Sequence, residues 1–342
     1  MHTIVAAGYK SLLSPSNRVW EMRTVFPREE MPLVSKPRII VVCGPTAAGK
    51  TRTAVQLAQR FDGEIVNADS MQVYRYMDIG TAKPTAEERA LARHHLVDLV
   101  DPDAPFDAAC FARLGREAIM DIAARSRVPI VAGGTGLYLK ALLYGLAREA
   151  HSDPALRRRL MDEVATEGSD ALHRRLAAVD PATASRVHPN DAVRIVRALE
   201  VHGLSGRPLS EHHRRHAFGD APYASFKVGL VVDRETLYTR IEERVEAMLA
   251  EGLEAEVRGL LARGYGPDLK SMQALGYRHM CAYLGGEVGL DEAVAALKRD
   301  TRRFAKRQFT WFRADPEIHW TAPENLDPML PQIEAFLEGD AV

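Results

Sequence analysis

Gly44-Pro-Thr-Ala-Ala-Gly49-Lys50-Thr51 satisfies the spacing G-x-x-x-x-G-K-[ST]. Glycines let the backbone turn tightly, so that successive N–H groups point at phosphate oxygens. Lys50 adds a point charge for the terminal phosphate. Thr51 offers a hydroxyl to Mg²⁺ and opens a helix whose positive end also favours anions. The run Gly44, Pro45, Thr46, Ala47, Ala48, Gly49, Lys50 and Thr51 is therefore the candidate diphosphate or nucleotide site. At average glycine usage such a match arises by chance about once in a hundred chains of this length. Asp69 and Asp98 each follow apolar residues and are candidate metal-positioning acids. No Asn-Lys-x-Asp guanine reader is present. These residues alone specify a P-loop phosphotransferase, an NTPase or a relative.

The flanking pattern supplies the elements that must hold them. Arg38–Cys43 is a continuous apolar run ending at a glycine, the mark of a buried parallel strand. Thr51–Arg60 has helical periodicity, with Ala54, Leu57 and Ala58 on one face. Gly63–Ala68 reads as a second strand, with Asp69 at its carboxyl end beside the P-loop. Leu96–Val100 is a possible third strand, Phe111–Arg125 an amphipathic helix, and Val128–Ala132 a strand running into Gly133-Gly134. This alternation predicts an α/β P-loop NTPase-like core, a parallel sheet flanked by helices. Residues 152–216 show almost no strand signal and are rich in Arg and His, so a helical insertion is predicted over 147–225. The core then comprises 37–146 and 226–320. The strand pattern returns at Lys227–Val232, and the remainder reads as helical, with Glu235–Leu261 the longest stretch. Residues 321–342 read as a tail.

Composition narrows the setting. The 342 residues carry a net charge of −1, so a nucleic-acid surface must be a local patch. Cys43, Cys110 and Cys281 are far apart with no CxxC pair, which argues against a zinc site or disulfide framework and fits a reducing, cytoplasmic setting. The six histidines from His173 to His216 match no zinc spacing. No apolar run has membrane-spanning length. Residues 1–36 read as a disordered extension, or as an upstream start with the true start at Met31, rather than as a transit peptide.

Asp69-Ser-Met-Gln-Val-Tyr74 followed by Met77-Asp-Ile-Gly-Thr-Ala-Lys-Pro84 is unlike ordinary kinases. With Gly133-Gly-Thr-Gly-Leu-Tyr138, His188-Pro-Asn-Asp191, Arg194, Arg197, Ala274-Leu-Gly-Tyr-Arg278 and Lys306-Arg-Gln-Phe-Thr-Trp-Phe-Arg313, it resembles the bacterial tRNA dimethylallyltransferases. The blocks keep the family's order and span about residues 38–320. The resemblance implies transfer of a dimethylallyl group from dimethylallyl diphosphate to the exocyclic amine of the adenosine immediately 3′ of the anticodon. The P-loop then holds the pyrophosphate leaving group, with Mg²⁺ at Thr51 as cofactor.

On that reading Asp69 is the base that takes the amine proton, with Lys50 and Thr51 meeting the leaving group. The alternative for Asp69 is a helix cap or an acid holding a metal's water. Arg240 and Arg244, four apart on one helical face, form a candidate second clamp on the diphosphate. The alternative is a solvated face paired with Glu242 and Glu243. Resemblance places Ser70, Met71 and Gln72 beside the flipped base, Gln72 suiting an adenine edge, and makes Thr135 and Arg157 tRNA contacts. Met71 also reads as ordinary core packing. Two further tRNA patches are Val193, Arg194, Ile195, Val196 and Arg197, and Gln273, Ala274, Leu275, Gly276, Tyr277 and Arg278. Between residues 298 and 313 seven residues are basic and one is acidic, with aromatics interleaved. Arg299, Arg302, Arg303 and Lys306 form a basic stripe there. Lys306, Arg307, Gln308, Phe309, Thr310, Trp311, Phe312 and Arg313 are assigned to tRNA. Nothing after residue 320 is Cys or His, so the chain resembles the bacterial form rather than the eukaryotic relatives, which carry a C-terminal zinc finger. A monomer is expected. The rival readings are an AMP prenyltransferase of the cytokinin type, a P-loop small-molecule kinase, and a tRNA-binding protein whose P-loop is only structural.

Overall fold

Alternation along the central strands builds a core on both faces of one sheet. In β1 (Arg38–Cys43), Ile39, Val41 and Cys43 pack on one side, while Ile40 and Val42 pack on the other. The computed structural model describes residues 36–145, 153–216 and 221–339. Expectations for residues 1–35 and for both ends of the predicted insertion (146–152 and 217–220) lie outside the described residues. β1 is followed by α1 (Lys50–Arg60), β2 (Gly63–Asn67), α2 (Ala86–Leu91), β3 (His94–His95), α3 (Ala108–Ala124), β4 (Val128–Gly133) and α4 (Gly136–Tyr144). Helices α5 (Pro154–Glu167), α6 (Ser169–Val179), α7 (Pro181–Ala184), α8 (Ala192–Ser205) and α9 (Leu209–His216) come next. The chain re-enters the sheet at β5 (Ala224–Leu230). It ends with α10 (Arg234–Ala250), α11 (Leu253–Ala262), α12 (Tyr277–Leu284), α13 (Leu290–Arg313), β6 (Ile318–Thr321) and α14 (Leu330–Glu338).

The six strands are all parallel and lie in the order β3-β2-β4-β1-β5-β6. Helices α1 and α14 cover the face of Ile40 and Val42. Helices α3, α4 and α10 to α13 cover the other. The α5–α9 segment has its own small core around Leu160, Leu172, Leu176, Ile195 and Leu199.

Four expectations are corrected. Leu96–Val100 is not a strand: Leu96 (φ 63°) and Asp98 (φ 57°) adopt left-handed backbone, and only an isolated bridge joins Val100 to Tyr74. The extended residues are instead His94 and His95. The long helix after Asp233 breaks at Gly252 (φ 101°), which leaves α13, with 24 residues, as the longest. A sixth strand, β6, lies in the stretch read as helical. The predicted tail carries α14, whose Ile333 is buried against the sheet while Arg38 Nη1 donates to the Leu337 carbonyl.

Candidate functional site

The P-loop turns out of β1 at Gly44 (φ 143°), where a Cβ would stand 2.9 Å from the Leu230 carbonyl oxygen on neighbouring β5. Only glycine fits that approach. Ala47 (φ 62°) and Gly49 (φ 89°) complete the turn into α1. Lys50 Nζ donates to the Pro45 carbonyl at 2.7 Å. Burial pushes the Lys50 ammonium down to about 8; Asp69 pulls it back up, and Arg244 adds to the downward push. The Cys43 thiol just before the loop is driven up to about 12 by burial, which makes it a poor nucleophile.

Asp69 follows β2, which is not next to β1 as the sequence suggested, because β4 intervenes. Its Oδ1 accepts the Met71 N–H at 2.8 Å and the Gln72 N–H at 3.4 Å. Among the described residues Oδ2 has no hydrogen bond. Thr135, in the turn after β4, accepts the Ser70 N–H at 3.1 Å through Oγ1.

These elements meet around a cavity of about 360 Å³. Its polar wall holds Thr46, Asp69, Ser70, Thr135 and Arg244. Its apolar wall is made by Ile241, Val245 and Met248 of α10 and by Leu297 and Phe304 of α13. Met71, Gly80, Thr81 and Ala82 close one side, and Gln273, Ala274, Leu275 and Gly276 another. A second cavity, of about 400 Å³, lies between β1, α4 and the end of α13, but Asp69 and Arg244 do not line it, and Lys50 lines neither of the two. Lys227 in its wall is held by Tyr144, Asp315 and Glu317.

Several predicted contacts sit elsewhere. Arg240 faces a different cavity, with Gly49 and Arg52, and pairs with Glu324 at 2.7 Å. Its neighbour one turn on, Arg244, is the one at the Asp69 cavity. Gln72 is buried and its Nε2 donates to the Thr81 and Ala82 carbonyls at 3.0 and 2.9 Å, so its donors are not free for an adenine edge. Asp98 is bonded to Lys83 and Arg89, a structural ion cluster rather than a metal-positioning acid. Gln308 is buried: its Oε1 accepts the Thr46 N–H and its Nε2 donates to the Gly134 carbonyl, each at 2.8 Å. It ties the P-loop to the turn after β4. Phe312, Tyr277, Ile195 and Val196 are also buried, and Phe309 meets Trp320 edge to face.

Lys306, Arg307, Thr310, Trp311 and Arg313 face outward, as do Val193 and Arg194. Arg157 and Arg197 both clasp the buried Glu200. Of the basic stripe, Arg302 pairs with Glu242, and Arg299 and Arg303 with Asp300, as does Arg278.

The sequence profile described as IPP transferase matches residues 72–315. The chain belongs to that family. It is 53% identical over 304 residues to a tRNA dimethylallyltransferase of Desulfosudis oleivorans, covering 89% of this chain and 97% of the relative. It is 55% identical to one from Geobacter metallireducens, covering 88% and 98%. A tRNA isopentenylpyrophosphate transferase from Bacillus halodurans superposes with a TM-score of 0.66 at 41% identity, covering 89% of this chain and 96% of that one. A eukaryotic dimethylallyltransferase acting on tRNA gives 0.75 at 28% identity, covering 90% and 81%.

Three features of the site were not anticipated from the sequence: the apolar wall, the buried bonds of Gln308, and Glu256 of α11, whose carboxylate accepts the Asp78, Ile79 and Gly80 N–H groups. The wall was detectable, since Ile241, Val245 and Met248 recur at helical spacing. Gln308 and Glu256 act through contacts with residues more than 170 positions away, and no local pattern announces those. Among the described residues no helix is long and apolar enough to cross a membrane.

Proposed function

We propose that this chain transfers the dimethylallyl group of dimethylallyl diphosphate to N6 of the adenosine immediately 3′ of the anticodon in tRNA, releasing diphosphate. One observation carries the reading: Asp69, Arg244 and Thr46 of the phosphate cradle line one cavity that also has a continuous apolar wall. A kinase site has no use for the wall formed by Ile241, Val245, Met248, Leu297 and Phe304. A branched five-carbon chain does.

An adenine amine is a weak nucleophile, because its lone pair is delocalised into the ring. As the N6–C1 bond forms, the C1–O bond breaks and its electron pair leaves on the diphosphate. The amine proton passes to Asp69, whose Oδ1 is already anchored by the Met71 and Gln72 N–H groups while Oδ2 faces no other donor among the described residues. Lys50, the loop amides and Arg244 meet the charge that develops on the leaving group. Arg240 joins them only from the far side of the loop. Thr51, in the first turn of α1, would hold Mg²⁺. No cluster of three His, Cys, Asp or Glu exists among the described residues, and this fits an ion that takes most of its ligands from phosphate and water. Such an ion supplies charge neutralisation for the leaving diphosphate.

The division of labour follows: the sheet with its flanking helices, from β1 to α4 and from β5 to α14, forms the catalytic core, and the α5–α9 segment is an insertion that grips tRNA. The exposed Val193 and Arg194, the outward residues between Lys306 and Arg313, and Gln273 to Gly276 at the cavity are the tRNA side of this reading. Ser70, Met71 and Thr135 flank the flipped base.

The test is transfer of label from dimethylallyl diphosphate with Mg²⁺, offering unmodified tRNA and AMP in parallel. Label on tRNA that falls about 10²–10⁴-fold in Asp69→Asn, with donor binding retained, supports acceptor and base together. Label on AMP alone transfers the case to a mononucleotide acceptor. Label on neither sinks the reading.

A further inference from the structure

Met77-Asp-Ile-Gly-Thr-Ala-Lys-Pro84 gives the cavity no acid or base, yet Gly80, Thr81 and Ala82 form part of its wall. The loop is held by Glu256 of α11. Glu256 Oε2 accepts the Asp78 and Ile79 N–H groups at 2.9 and 2.8 Å. Its Oε1 accepts the Gly80 N–H at 3.1 Å and the Tyr277 hydroxyl at 2.6 Å. Three successive backbone N–H groups converging on one anion form a nest of the kind that elsewhere binds phosphate. Here the anion comes from the protein itself.

Tyr277 lies against the same loop. A Cβ on Gly80 would stand 2.5 Å from Tyr277 Cε2 and 2.6 Å from Cζ, so the ring rests directly on the glycine. Burial first, and then the Glu256 charge, hold the Tyr277 hydroxyl far above the usual tyrosine range. It therefore stays a donor to Glu256 at any working pH. Tyr277 directly follows Gly276, which belongs to the opposite cavity wall. The chain of bonds also reaches the base: Gln72 holds the Thr81 and Ala82 carbonyls, and the Gln72 N–H donates to Asp69. One carboxylate thus joins two walls of the cavity, and those walls are braced against the loop that carries Asp69.

We propose that Glu256 is a positioning residue for the transfer: it fixes the 80–82 wall and the 273–276 wall at the separation that seats the acceptor base against Asp69. This rests on the prenyl-transfer reading above. The P-loop is tied down separately, through Gln308 and Gly134, so donor recognition lies outside this arrangement.

The test is Glu256→Gln, which keeps the shape of the side chain. Its one carbonyl oxygen can serve only one side of the nest, and its amide N–H₂ group faces donors on the other. Four quantities are compared with the parent: thermal unfolding, inorganic pyrophosphate affinity, kcat and KM for each substrate, and hydrogen exchange at the Asp78, Ile79 and Gly80 amides. The expected result is faster exchange at those three amides, pyrophosphate affinity within about twofold, and kcat/KM for tRNA lower by about tenfold to a hundredfold, the scale of a misplaced reactant. Unchanged exchange and unchanged kcat/KM would overturn the proposal. So would a parallel loss of pyrophosphate binding and of the folding transition, which a purely structural residue produces. If the parent moves no label to tRNA, the transfer reading fails, while the exchange data still decide whether Glu256 holds the wall.

Discussion

Replacing Gln308 by leucine separates two roles for the block Lys306–Arg313. Gln308 is 7% exposed, and its two bonds of 2.8 Å join the Thr46 N–H to the Gly134 carbonyl. Leucine fills most of the volume but satisfies neither partner. A buried backbone group left without a partner costs about 1–3 kcal/mol, so the pair sums to roughly 2–4 kcal/mol once the loop relaxes. For a chain of this size that lowers Tm by about 3–6 °C. The freed P-loop then binds diphosphate less tightly, and KM for the prenyl donor rises roughly tenfold, while KM for tRNA stays within about twofold. Calorimetry and steady-state kinetics with each substrate varied in turn measure both effects. A selective rise in KM for tRNA, with Tm unchanged, would refute this account and return Gln308 to the RNA surface.

Two further outcomes follow from the site. Burial holds Lys50 at about 8 against 10.5 for an exposed lysine, so its ammonium is fully charged only well below pH 8, half-charged at that value and lost well above it. Donor KM therefore rises as pH passes 8, and because bound diphosphate restores the ammonium, binding at pH 9 takes up a proton, which calorimetry in buffers of different ionisation heat detects. Along α10 and α13 the cavity runs from Ile241 and Phe304, near the P-loop, to Met248 and Leu297 at its far end. Met248→Ala should lengthen that end and admit geranyl diphosphate as a donor, read by mass spectrometry of the tRNA product; parent-like rejection of the longer chain would show that the prenyl tail runs elsewhere.

The phosphate cradle was legible because its chemistry is local: a strand, a glycine turn and a helix within about twenty residues. The sheet was legible where strands are buried on both faces. Leu96–Val100 misled because its apolar residues are interrupted by left-handed backbone at Leu96 and Asp98, and Lys83 and Arg89 hold Asp98 from outside the segment. The clamp was legible only as a pair. Helical spacing put Arg240 and Arg244 on one face, but the approach of Glu324 turns the first away from the cavity. Gln72 looked like a base reader because a free amide suits that task, and Gln308 looked like an RNA contact because it lies in a basic-aromatic block. Their carbonyl and N–H partners lie in other segments, and the sequence has no means of announcing them.

Helix α13 is a single rod of 24 residues, about 36 Å long. Its middle lines the cavity through Leu297, Thr301 and Phe304; Gln308 grips the P-loop, and Trp311 packs over Gly136 at the start of α4. Its outer surface carries Arg299, Arg303, Lys306 and Arg307. An RNA settling on that surface and a diphosphate settling in the loop therefore press on the same rod from two sides. If either shifts it, thermodynamic reciprocity requires that each partner change the other's affinity by the same factor. Such a coupling would act through the helix in addition to any direct contact between acceptor and donor in the cavity.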